Sequence, residues 1–186
     1  MVNFSKRGIC MKLIECFVLG ALLALPGMAS AHGPTPQKVE EKIVIAAPPD
    51  KVWAVVKDFG AISTWHPGVK ESKGHAGNEA GGERTIMLKG GQLTESLDEY
   101  LDKDMTYSYR VVGENMAAMP VSFYSATLQV KPGKDGGSEV EWIARFYRGD
   151  TGNFPPETLN DAAAIAAMSG FIKEGLAGLK ETAEKK

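Results

Sequence analysis

The sequence predicts an α+β domain: a curved antiparallel sheet of about six or seven strands wrapped around one long C-terminal helix, with two short helices after the first strand. Three observations predict it. Strand-length segments with alternating apolar residues follow one another from Val69 to Tyr147, separated by Gly- and Asp-rich turns. A proline-free C-terminal segment carries apolar residues at spacings of three and four. Between these features and the first strand, Pro48-Pro49 opens a short apolar stretch ended by Gly60.

Lys38 to Ala47 reads as the first strand, with Val39, Ile43 and Ile45 on one parity. "PDKVWAVVKDFG" reads as a short helix whose apolar side is Val52, Trp53, Val55, Val56 and Phe59. Strands are then expected at "ERTIMLK", "QLTESLDEYL", "MTYSYRVV", "SFYSATLQV" and "EVEWIARFY", with "KPGKDGGS" as a hairpin turn. In the last strand Val140, Trp142, Ala144 and Phe146 share the core face, and Glu139, Glu141, Arg145 and Tyr147 share the wet one. From Glu157 to about Lys185 a helix is expected, roughly 40 Å long, with Ile165, Met168, Ile172, Leu176 and Leu179 towards the sheet. Its many small residues, among them Gly170, Gly175 and Gly178, either bring the helix close to the sheet or leave a cavity beneath it.

Ahead of this domain, Lys6, Arg7 and Lys12 precede an apolar run, Leu13 to Leu25, then Pro26-Gly27 and the small residues Ala29-Ser30-Ala31. That pattern is a secretory signal peptide with cleavage expected after Ala31, so the protein is expected in the periplasm. The expected organisation is a removed leader (1–31), a flexible arm (32–37) and one domain (38–186), with no later segment reading as a membrane span. The remaining 155 residues hold 18 basic and 22 acidic side chains, a net charge of −4. A mildly acidic chain without a basic patch is a poor candidate for nucleic acid. Both cysteines, Cys10 and Cys16, lie in the leader, which excludes a disulfide, a thiol nucleophile and a Cys-ligated metal in the rest.

The order strand, short helix pair, antiparallel strands, long C-terminal helix is a helix-grip arrangement. "IVIAAPPDKVWAVVKDFGAISTWHPGV", "LTESLDEYLDKDMTYSYRVV" and "MPVSFYSATLQVKPGKDGGSEVEWIARF" resemble the opening, middle and closing motifs of the START-like or SRPBCC superfamily, in its polyketide cyclase/dehydratase branch. The likeness covers the chain after the leader and implies the fold more than any activity, because one fold hosts many functions. "HGPTPQKVEEKIVI" and the "WHPGVK" loop add a narrower resemblance, to the MxaD family of periplasmic accessory proteins of bacterial methanol oxidation. It implies a non-enzymatic protein that assists methanol dehydrogenase and its cytochrome c.

Trp65, His66 and Pro67 are the most conspicuous residues. The fold's pattern makes Trp65 a plug and Pro67 a loop clamp. A base at His66 needs a nucleophile or an orienting carboxylate, and none is visible in the sequence. The loop therefore reads as a lid, with its rim and the Met116, Met119 and Pro120 segment as a partner contact. Glu95, on the apolar parity of its strand, is expected to be buried, with Arg84 as its candidate partner. Glu95, Tyr107, Tyr109, Tyr124, Trp142, Phe146, Met168 and Phe171 would line a pocket. Met105, Met116, Met119 and Met168 suit an adaptable surface. The acidic stripe Leu97 to Asp104 reads as a solvated face, or as steering towards a cationic partner. His32, the expected new N-terminus, could chelate copper only with a second histidine, and neither His66 nor His75 has a favourable spacing. HExxH, GxSxG, Walker A and GxGxxG motifs are absent. No catalytic residue, metal or cofactor is therefore expected. The first functional expectation is the accessory role in methanol oxidation. The alternatives are a periplasmic binding protein for a small apolar ligand, and a cyclase or dehydratase using Glu95 and His66.

Overall fold

The computed structural model describes residues 33–185. The expectations for the leader and for His32 lie outside them. Seven strands form one antiparallel sheet in the order β1-β7-β6-β5-β4-β3-β2. They are β1 Gln37–Ile45, β2 Glu71–His75, β3 Glu83–Leu88, β4 Gly91–Leu101, β5 Thr106–Gly113, β6 Val121–Pro132 and β7 Ser138–Arg148. Between β1 and β2 lie α1, Pro49–Val56, and a 3₁₀ segment, Phe59–Thr64. After β7 comes α2, Asp161–Glu184.

Alternation places the inward side chains where the sequence requires. In β7, Val140, Trp142, Ala144 and Phe146 are at most 1% exposed, facing Leu128, Val130, Ala126 and Tyr124 of β6. Two bulges in β4 and one in β6 break the ladder between Thr94/Glu95, Leu97/Glu99 and Ser122/Ser125. A bulge bends a strand and increases its twist, which is how the sheet curves around a helix. In the β6 bulge Phe123 takes a positive φ of 51° with its ring turned outward.

Three expectations need correction. The C-terminal helix begins at Asp161, not Glu157: the Asn160 side chain accepts the Ala163 N–H at 2.9 Å, an N-cap that separates residues 157–159 as their own turn. Its buried stripe runs through Ala164, Met168, Ile172, Leu176, Leu179 and Ala183, whereas Ile165 falls on the flank and stays 39% exposed. Lastly, α2 is long and apolar enough by composition to cross a bilayer, although no such segment was expected there. Its apolar stripe is the one packed onto the sheet. At the far end α2 is tied to β1, where Lys180 Nζ donates to the Val44 carbonyl and the Ala46 N–H donates to Glu184.

A candidate ligand site beneath the C-terminal helix

The Trp-His-Pro loop closes one side of the space between sheet and helix. The 3₁₀ segment delivers it: the Trp65 and His66 N–H groups both donate to the Ile62 carbonyl, turning the chain back under α2. Trp65 and His66 are 3% and 1% exposed. The helix accepts them because two of its residues are glycines. A Cβ on Gly175 would lie 2.5 Å from His66 Cδ2, and one on Gly178 would lie 2.3 Å from the Trp65 carbonyl oxygen. At these two positions the small residues serve close approach, not a void.

His66 is held at both nitrogens. The Gly68 N–H can only donate, so Nδ1 accepts it at 3.1 Å, and Nε2 then carries the proton that goes to the Phe171 carbonyl at 3.0 Å. The ring also packs against Phe171, centroids 4.1 Å apart. Burial pushes its pKa down to about 4 against the help of the Phe171 carbonyl, and the nearby Arg84 charge lowers it further. His66 is thus a neutral strut with no free lone pair to act as a base. The Trp65 indole N–H has no partner among the described residues.

A charged network is buried in the same core. Arg84 of β3 and Glu95 of β4 are directly paired in the ladder, both 1% exposed, with Nε donating to Oε2 at 2.5 Å. Tyr124 donates to the other carboxylate oxygen at 2.6 Å, and Arg84 Nη1 donates to the Phe59 carbonyl at 2.9 Å. The guanidinium lies 4.0 Å from the Phe59 ring centre and 4.8 Å from that of Tyr109. Trp142 Nε1 donates to the Tyr109 hydroxyl at 3.1 Å. Burial alone would weaken the Arg84 charge, but Glu95 beside it raises its pKa overall. Burial, then the Glu95 charge, pushes Tyr109 and Tyr124 well above the ordinary tyrosine value; Tyr107 is pushed up to about 12 mainly by burial.

A narrow cavity adjoins this network. Glu95, Tyr109 and Tyr124 form its polar end, and Met119, Met168 and Phe171 its flexible side, with Ile86, Leu93, Ala126 and Ile172 completing it. Its free volume is about 10 Å³, room for one water at most. Five residues expected on a pocket wall are there: Glu95, Tyr109, Tyr124, Met168 and Phe171. Tyr107, Trp142 and Phe146 are buried away from it, in the core proper. Ile86, Leu93, Ala126 and Ile172 were missed. Their apolar parity marked them as core, and nothing local distinguishes a cavity wall from filled core.

The expected rim contact is corrected more heavily. Trp65, His66 and Met119 are at most 5% exposed, so they offer a partner almost no side-chain surface in this conformation. Met116 and Pro120 are half-buried, and Pro67 is exposed. Two acids of the stripe have structural partners: Asp98 takes Arg110, and Asp102 accepts the Trp53 indole N–H. His75 lies exposed at the end of edge strand β2.

Residues 36–184 match the model of a family described as polyketide cyclase / dehydrase and lipid transport. Among solved structures, an uncharacterised protein from Bacillus thuringiensis is 26% identical with a TM-score of 0.66, over 80% of this chain and 100% of that one. The protein XoxI from Bacillus cereus is 27% identical with a TM-score of 0.65, over 78% and 94%. The ZhuI aromatase/cyclase from Streptomyces sp. R1128 shares the fold at 16% identity and a TM-score of 0.64, over 81% and 94%. No curated protein matches the chain.

Proposed function

Because the chain belongs to the polyketide cyclase / dehydrase and lipid transport family, we propose that it is a non-enzymatic binding protein for a small apolar ligand held beneath α2. The observation that carries this reading is the pair Glu95 and Tyr124 at the end of an otherwise apolar cavity, with Arg84 holding Glu95 from behind the wall. A buried ion pair is a poor stabiliser, since well-packed apolar residues do as well or better. An apolar cleft with a few convergent polar groups is the usual form of a small-molecule site.

The cavity is collapsed, and its flexible side is what opens. Met119 and Met168 have unbranched, adaptable side chains, and Phe171 can leave its stack on His66. His66 offers no general base for turnover, because its two nitrogens are both committed to the backbone. The leader pattern of residues 1–31 supports a periplasmic location. Native mass spectrometry of the purified protein, followed by denaturation and extraction, tests the reading. A stoichiometric apolar molecule released only on denaturation is expected; no bound molecule, together with no binding of added apolar probes, would refute it.

The accessory role in methanol oxidation is a second reading. It is favoured by Phe123 and Phe154, which are 71% and 92% exposed and so available to a partner. Titrating the protein into methanol dehydrogenase plus its cytochrome c should then give a saturable rise in cytochrome reduction, lost in Phe123→Ser/Phe154→Ser. A flat titration would exclude it.

A further inference from the structure

The polar end of the cavity has unequal capacity for donating and accepting. Both Glu95 oxygens are engaged, one by Arg84 and one by Tyr124. The Tyr109 oxygen receives the Trp142 indole N–H, but its own hydroxyl proton has no acceptor among the described residues. Arg84 Nη2, in the same network, is a second buried donor without a partner among them. An unused buried donor is costly, and the molecule that occupies the site gains by supplying the missing acceptor. The charges, by contrast, are already balanced: one guanidinium faces one carboxylate, both sealed from water.

We infer that the cavity selects neutral apolar molecules bearing a carbonyl oxygen, which accepts the Tyr109 hydroxyl proton, and that it rejects carboxylates. This rests on the ligand-binding reading above. A carbonyl satisfies the orphan donor and adds no charge. A carboxylate of the same shape would also accept the proton, but it brings an uncompensated negative charge into a low-dielectric site beside Glu95. A hydrocarbon of the same shape fits yet leaves the Tyr109 proton unpaired. Selection between the first and third therefore falls on Tyr109, and between the first and second on the Arg84–Glu95 balance.

Three probes of nearly equal shape separate these terms: acetophenone, benzoate and isopropylbenzene. Each is titrated into isotope-labelled protein and into Met168→Ala, which supplies room, and amide and indole N–H shifts are followed. Acetophenone is expected to bind roughly five- to tenfold more tightly than isopropylbenzene, the worth of one hydrogen bond, and benzoate to give no saturable shift. In Tyr109→Phe the acetophenone preference disappears while isopropylbenzene affinity stays, which also shows that the variant is folded. As a second measurement in unaltered protein, acetophenone should move the Trp142 indole N–H signal more than isopropylbenzene does, because a hydroxyl that donates becomes a better acceptor. Benzoate binding best, or a preference that survives Tyr109→Phe, overturns the selection rule and leaves the cavity reading standing. No shift with any probe in either protein overturns both.

Discussion

At the residue scale, the Arg84–Glu95 pair has the largest stability consequences. Removing one partner strands a buried charge, at about 3–5 kcal/mol, whereas removing both with apolar replacements is nearly neutral. Urea denaturation of Glu95→Gln, Arg84→Met and Arg84→Met/Glu95→Leu should show two strongly destabilised single variants and a double variant close to the original. A double variant as weak as the worse single would mean that the pair is a net stabiliser. His66 makes a prediction about pH. Its folded pKa of about 4 lies below the unfolded value of 6.5, so between these two the unfolded chain binds the extra proton. Its stabilising effect is therefore whole above pH 6.5 and lost as pH falls towards 4, by something on the order of 3 kcal/mol. The slope of stability against pH in this window should flatten in His66→Gln; an unchanged slope would place the titration elsewhere.

At the element scale, the glycines of α2 divide into two kinds. In an ordinary helix interior, Gly→Ala stabilises by roughly 1 kcal/mol. Gly170 has nothing within 4 Å of its missing Cβ, so Gly170→Ala should raise the melting temperature. Gly175→Ala and Gly178→Ala should lower it, because the new methyl would meet His66 and Trp142, or the Trp65 carbonyl and Pro67. Equal behaviour of all three would mean that the loop does not lie against the helix as described. The bulges belong to this scale too. Phe123 keeps a left-handed backbone at a cost of roughly 1–2 kcal/mol, with its N–H held by Glu114 at 2.6 Å.

At the scale of the whole molecule, the proposed ligand binding has to be reconciled with a nearly filled core. Free space of about 10 Å³ admits no organic ligand, so binding requires the flexible side to move. Met168→Ala should cost about 2–5 kcal/mol, the usual penalty for emptying a buried Met position, and should bind apolar probes more tightly than the unaltered protein does. Calorimetric scans with and without isopropylbenzene would test both halves. A variant that loses stability yet gains no affinity would show a core that collapses around the gap.

What the sequence determined alone was set by local periodicity. Alternation fixes which side chains of β7 face inward, the three-and-four spacing of α2 sets most of its buried stripe, and Pro48-Pro49 with Gly60 brackets the first helical stretch. These follow from backbone geometry that each segment carries by itself. Glu95 and Arg84 were legible as a buried pair because both fall on apolar parity either side of the Gly90-Gly91 turn. The rest depended on contacts between residues far apart in the chain. Tyr124 reaches Glu95 across 29 positions, and His66 reaches the Phe171 carbonyl across 105. No local pattern encodes such a meeting, so the same Trp-His-Pro stretch could have been a rim. Tertiary packing made it a buried strut, because Gly175 and Gly178 let α2 come down on it, and the same packing closed the cavity to the volume of one water.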